Sequence, residues 1–205
     1  LSVLGKTQIS DLLKKRKLSD RLIITPMVES QICDSSIDLR LGNDFIITRK
    51  GNLGSIDPSS ENPWQHRYQT KHHINFLSKF YLHPKELVLA STFEYIRLPN
   101  SVSGFVTSRS KWGRVGLVIA TAVAIAPGFT GCITLELINL GEVPLVLYPG
   151  IRVAQLVLED CKGATEYTGQ LSCHTGPEYG NVANDYDIAL LFHPDNNLCT
   201  AQTHR

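Results

Sequence analysis

Two groups of residues in this 205-residue chain could do chemistry together. The first lies in GFVTSRSKWGRVGL (104–117), which places Ser108, Arg109, Ser110, Lys111 and Arg114 in one short loop. Guanidinium forks, hydroxyl donors and backbone N–H groups are what a bound phosphate requires. Each charge-assisted hydrogen bond contributes about 1.5–3 kcal/mol, so a few together would hold a triphosphate at micromolar strength. The second is Glu136, a lone carboxylate in the apolar run CITLELIN. Strand alternation puts Ile133, Leu135 and Leu137 on one face, and Cys132, Thr134, Glu136 and Ile138 on the other. If Glu136 stands in a cleft, desolvation raises its pKa and suits it to general acid–base work. Anion-binding groups beside an isolated acid point to chemistry on a phosphorylated small molecule. Each group also has a plainer explanation: a solvated basic turn, and a solvent-facing residue on a half-buried strand.

The elements that must position these groups are mainly β. Residues 7–17 (TQISDLLKKRK) have the pattern of one short amphipathic helix, with Thr7 as its N-cap. From Ser36 onward short apolar runs such as SIDLRLG, ELVLAST, CITLELIN and RVAQLVLE are separated by Gly, Pro and Asn. That spacing is the signature of a sandwich or barrel, with helix nearly absent after residue 20. Pro127-Gly128 and Pro149-Gly150 mark tight turns that feed strands. The polar stretch Gly51–His73 is expected as a surface excursion, with His72-His73 carrying no role. No repeat or second domain is visible, so one domain spans 1–205, and residues 171–205 form a divergent, mobile or partner-docked tail.

Composition excludes several classes. A net charge of +1 provides no global field for nucleic acid or membrane surfaces, so anion binding must be local. Of the loop's side chains Trp112 alone could stack on a base. No apolar run reaches the roughly 20 residues of a membrane span, and LSVLGKTQISDLLKKRK has no signal-type apolar stretch. The five cysteines are scattered and nowhere form CxxC, as expected for a reduced cytoplasmic protein without structural zinc. The histidines lack metal-ligand spacing, and no HxE with PCxxC is present, which closes the zinc route to deaminating a base. Neither GxxxxGK[ST] nor GxGxxG occurs.

Taken in order, SSIDLRLG (35–42), LHPKELVLASTFEYIRLPNSVSGFVTSRSKWGRVGL (82–117), APGFTGCITLELIN (126–139), PLVLYPGIRVAQLVLE (144–159) and EYTGQ (166–170) resemble the dCTP deaminase branch of the trimeric dUTPase-like superfamily. The resemblance implies a distorted, jelly-roll-like β-barrel with a short N-terminal helix, assembled as a homotrimer with interfacial active sites. It implies hydrolysis of dCTP to dUTP and ammonia, with dTTP as a possible inhibitor. Arg109 and Ser110 would bind phosphate and help to place the attacking water. Arg114 matches the motif's second arginine, and Lys111 and Thr134 complete the nucleotide contacts. Glu136 would take a proton from water attacking C4, protonate N3 and help ammonia leave. Tyr167 and Gln170 match a C-terminal lid. No zinc is implied, and Mg²⁺ would accompany only the triphosphate.

Three departures from that pattern bear on function. Ala126 stands where most relatives carry an Asp that contacts the deoxyribose, and where dUTPases carry the Asp that positions the hydrolytic water. Lys111 replaces a serine of the loop, while Glu166 replaces a lysine of the lid, so a cation moves from lid to loop. The link between Arg114 and Pro127 is one residue short, which blurs the alignment of Thr121 and Ala122. Ala126 ranks a dUTPase, or a bifunctional enzyme releasing dUMP and pyrophosphate, below simple release of dUTP. A trimer that binds nucleotide without turnover is the alternative from another class.

Overall fold

The computed structural model describes residues 2–49, 54–59, 68–120, 124–163, 173–180, 182 and 186–192. Two compact units are present: Leu1–Ile47 with Lys71–Glu178, and Thr48–Thr70 with Tyr179–Arg205. In the first unit the N-terminal helix covers Lys6–Lys14, with Gly5 rather than Thr7 as its N-cap. The Gln8 side chain accounts for that shift, because its Oε1 accepts the Gly5 N–H at 3.0 Å. Strands follow as β1 (Ile23–Thr25), β2 (Ile37–Thr48), β3 (Gln69–His73), β4 (Phe80–Leu82), β5 (Leu87–Thr92), β6 (Tyr95–Arg97), β7 (Val102–Ser108), β8 (Leu117–Ile119), β9 (Ala124–Ile125), β10 (Thr130–Gly131), β11 (Thr134–Asn139), β12 (Leu145–Leu147) and β13 (Arg152–Asp160).

The largest sheet has the order β8-β11-β5-β2-β13-β7-β9, with β3 beside β2 off this path. The pairings along that order are antiparallel. This sheet curls on itself: the Ile119 N–H of β8 donates to Ser108 Oγ at the end of β7 at 2.9 Å. A smaller sheet, β1-β6-β10, and the pair β12-β4 complete a distorted β-barrel. Inward-facing residues of several strands fill the core, among them Leu39, Leu41, Phe45, Ala90, Leu135, Leu137 and Leu156, all with no exposed surface. Phe45 and Phe80 stack at 4.4 Å between ring centroids.

Two sequence expectations are corrected, the N-cap above and the place of His72-His73. Residues 69–73 form a strand, and His73 Nδ1 lies 2.8 Å from Asp44 Oδ1, so His72-His73 is part of the sheet and not of a loop. Its polar composition is that of a strand away from the core. α-Helix after residue 20 is as scarce as expected: among the described residues it is one turn at Ser110–Gly113 and, in the second unit, Tyr186–Phe192. Among the described residues no helix is long and apolar enough to cross a membrane.

Candidate active site

The basic loop begins where β7 ends. Its first residue, Arg109, is held by its backbone N–H on the Val153 carbonyl (3.0 Å), and Ser110–Gly113 then form one helical turn. Two side chains pin this turn to β13: Trp112 Nε1 donates to the Arg152 carbonyl at 3.0 Å, and Arg109 Nη1 to the same oxygen at 3.3 Å. The Trp112 indole N–H is therefore committed to the fold. Ser110, Lys111 and Arg114 are exposed around the turn. The loop closes at Gly116, whose carbonyl accepts the Leu140 N–H at 2.8 Å.

Glu136 stands on β11 between β8 and β5. Alternation is as the sequence predicts: Leu135, Leu137 and Asn139 face the core, while Thr134, Glu136 and Ile138 lie on the other face, partly exposed. Burial raises the Glu136 carboxyl above its ordinary value, the direction that suits a general base. The Glu136 carbonyl accepts the Ala120 N–H at 2.9 Å, fixing the level of β8 against β11. Leu140, which meets the loop's end, lies four residues further along, or about 13 Å at strand spacing. Ser108, the last residue of β7, bonds to Ile119, which pairs with Leu137 beside Glu136. Acid and cations are thus carried by neighbouring elements of one curled sheet. Glu166, Tyr167 and Gln170, expected in the lid, and Thr121 and Ala122 lie outside the described residues.

Two features of the site escaped the sequence. Asp38 on β2 is buried beneath the loop, where its Oδ1 lies 3.2 Å from Arg109 Nε and its Oδ2 lies 3.6 Å from Arg152 Nη1. A lone acid inside the apolar run IDLRLG was the available signal, because a buried carboxylate demands a cationic partner. The segment from Cys173 to Glu178 lies against β10 and β11 as a strap. Cys173 N–H donates to the Thr130 carbonyl (2.6 Å) and Cys132 N–H to the His174 carbonyl (2.7 Å). Glu178 N–H reaches Thr134 Oγ1 at 3.2 Å. Strap and β3 line a cavity of about 510 Å³ with Asp44, His73, His174 and Glu178 on its walls. Cys132 is no nucleophile: burial, and then the Glu94 charge, pushes its thiol up to about 11.

Ala126 opens the turn before β10. Its carbonyl accepts the Phe129 N–H at 3.1 Å across Pro127-Gly128, and Gly128 takes φ +79°. Proline followed by a positive-φ glycine is the type II arrangement.

Comparison with known proteins agrees with this architecture. A dCTP deaminase-like family model matches residues 3–161. The "dCTP deaminase, dUMP-forming" of Methanosphaera stadtmanae is 38% identical over 193 residues, covering 86% of this chain and 93% of that protein. The protein of the same name from Persephonella marina is 37% identical over 90% of this chain and 99% of its own length. A protein named dCTP deaminase from Natronomonas pharaonis is 35% identical over 88% of this chain and 97% of its own. Among solved structures, the 2'-deoxycytidine 5'-triphosphate deaminase of Agrobacterium tumefaciens superposes with a TM-score of 0.59 at 21% identity. That match covers 77% of this chain and 48% of the other, and it shows a shared fold. With the family model spanning most of the chain and these relatives aligned nearly end to end, the chain belongs to the dCTP deaminase-like family.

Proposed function

We propose that this chain hydrolyses dCTP at C4 to release ammonia, and carries the resulting dUTP on to dUMP and pyrophosphate. The observation that carries this is the match, over most of both chains, to relatives named dCTP deaminase, dUMP-forming. Ala126 had ranked dUMP formation second, and the relatives' names reverse that order. Atoms balance with two waters: one replaces the C4 amino group, and the other cleaves between the α- and β-phosphates.

Glu136 is the proton carrier of this proposal. Ionised, it takes a proton from the water attacking C4; protonated, it delivers that proton to N3 and then assists ammonia. Its partial burial supports the assignment, since a carboxyl of raised pKa exchanges protons more readily near neutral pH. Arg109, Ser110, Lys111 and Arg114 hold the phosphates, with Ser110 and Arg114 also placing the water, and Thr134 faces the nucleotide beside Glu136. Tyr167 and Gln170 form the lid, and Mg²⁺ enters with the triphosphate. A homotrimer with interfacial sites, acting in the cytoplasm as one domain, is the assembly this reading carries.

A second reading, release of dUTP as the end product, is favoured by Ala126 and by the relative named dCTP deaminase without dUMP formation. Incubation with dCTP and Mg²⁺, followed by anion-exchange chromatography, separates the two. The expected result is dUMP, pyrophosphate and ammonia in equal amounts. Accumulating dUTP without pyrophosphate would establish the second reading, and unchanged dCTP would overturn both.

A further inference from the structure

The geometry points to Asp38 as the positioning residue that aims Arg109 at the substrate's phosphates, an inference resting on the reading of the 108–114 loop as a phosphate site. Asp38 is 2% exposed, yet it is a carboxylate near the start of β2. A buried charge persists in a fold when well-placed opposite charges and hydrogen bonds compensate its desolvation. Here the compensation comes from three side chains. Arg109 Nε and Gln155 Nε2 approach Oδ1 at 3.2 and 3.3 Å, and Arg152 Nη1 approaches Oδ2 at 3.6 Å.

The two arginines are not equivalent. Arg152 is fastened elsewhere, its Nη1 on the Ser30 carbonyl at 2.8 Å and its Nη2 on Ser30 Oγ at 2.6 Å. Fold stability asks for one such cation against one carboxylate. Arg109 is the second, placed as the N-cap residue of the loop's helical turn. Asp38 fixes its Nε edge and the Arg152 carbonyl fixes Nη1, so the guanidinium plane is set from two directions. A planar fork recognises phosphate through pairs of parallel N–H donors, so orientation matters as much as charge. One carboxylate against two guanidiniums also leaves a net positive charge at the base of the loop. Asp38 thus orients the arginine without cancelling the field that an anion meets.

A merely structural Asp38 would make the same contacts but would not act through Arg109, and a double-mutant cycle separates the cases. The probe is inorganic tripolyphosphate, titrated calorimetrically into the full-length chain, with Asp38→Asn, Arg109→Ala and the double variant alongside. Asp38→Asn is expected to weaken tripolyphosphate binding about tenfold in the native background and less than about twofold in the Arg109→Ala background. The KM for dCTP should rise in parallel. If Asp38→Asn does not fold, Asp38→Glu keeps the charge, displaces the carboxylate, and enters the same cycle. Equal losses in both backgrounds, or no binding of tripolyphosphate by the unmodified chain, would overturn the inference. Coupling in the binding cycle without any ammonia from dCTP would instead leave Asp38 in place and remove the proposed reaction.

Discussion

Glu94 anchors the strand that carries Asp38, and its removal has a calculable cost. It has no exposed surface. Three donors converge on its carboxylate: Gln31 Nε2 at 2.8 Å, the Arg40 backbone N–H at 2.9 Å and Arg40 Nε at 2.6 Å. Glu94→Ala leaves all three without this acceptor. Breaking a buried ion pair from one side costs about 3–5 kcal/mol, because the surviving charge is uncompensated. Arg40 softens that penalty: its side chain is 19% exposed, its Nη2 keeps the Pro26 carbonyl at 2.6 Å, and its guanidinium sits 4.8 Å from the Phe93 ring centroid. The low end, about 3 kcal/mol, is therefore expected, which for a chain of this size lowers Tm by about 6–12 °C. Urea denaturation should show the midpoint falling with an unchanged m-value. The paired replacement Glu94→Leu with Arg40→Met should recover part of the loss, since it removes both charges together while Gln31 Nε2 and the Arg40 backbone N–H still lose this acceptor. A Glu94→Ala change under about 1 kcal/mol, or a double variant as unstable as the single one, would refute this account of the pair.

Three further predictions concern the loop and the acid. Glu136→Gln should reduce ammonia release by about 10²–10⁴-fold while nucleotide binding survives, and kcat/KM of the unmodified chain should fall as pH drops through the raised Glu136 pKa. Because that pKa is raised by burial, the ionised carboxylate opposes folding above it. Glu136→Gln should therefore be the more stable protein at pH 7, with the advantage vanishing as pH falls below the ordinary glutamate value, as pH-resolved urea denaturation would reveal. Gly116→Ala should destabilise by about 1–3 kcal/mol from its φ of +97° alone. The added Cβ would also stand 2.6 Å from the Gly141 nitrogen, so the loop's exit must shift. Unchanged Tm and unchanged tripolyphosphate affinity in that variant would show that this turn does not hold the loop.

How much of this was legible in the sequence depends on the range of the interaction. The alternation of β11 needed only period-2 counting, and the outward placement of Thr134 and Glu136 followed from it. The turn at Pro127-Gly128 was likewise local chemistry. The ion pairs of Asp38 and Glu94 were not legible, because each joins β2 to a segment distant in the chain. Thr7 lost the N-cap to Gly5 because the Gln8 side chain turned back on the backbone, a local alternative that residue preferences do not rank. Polar composition concealed β3, since a strand outside the core carries few apolar residues. The strap from Cys173 to Glu178 grips β10 and β11 chiefly through backbone groups, which leave no mark in residue types.

The same distinction between backbone and side chain bears on the product. The turn at Ala126 is closed by its carbonyl and by the dihedral angles of Pro127 and Gly128, so the fold is indifferent to the side chain at 126. Alanine there is a chemical difference from an aspartate and not an architectural one. A methyl group offers neither charge nor acceptor to a water attacking the α-phosphate. If this chain makes dUMP, another group must hold that second water, and in the loop and β11 the carboxylate is Glu136. One acid would then serve both hydrolyses in turn, first at C4 and then at phosphorus. On that argument Glu136→Gln removes ammonia and pyrophosphate together when dCTP is supplied, and it also blocks pyrophosphate release when dUTP is supplied directly. Retained cleavage of dUTP by Glu136→Gln would assign the second water to a different residue and separate the two activities.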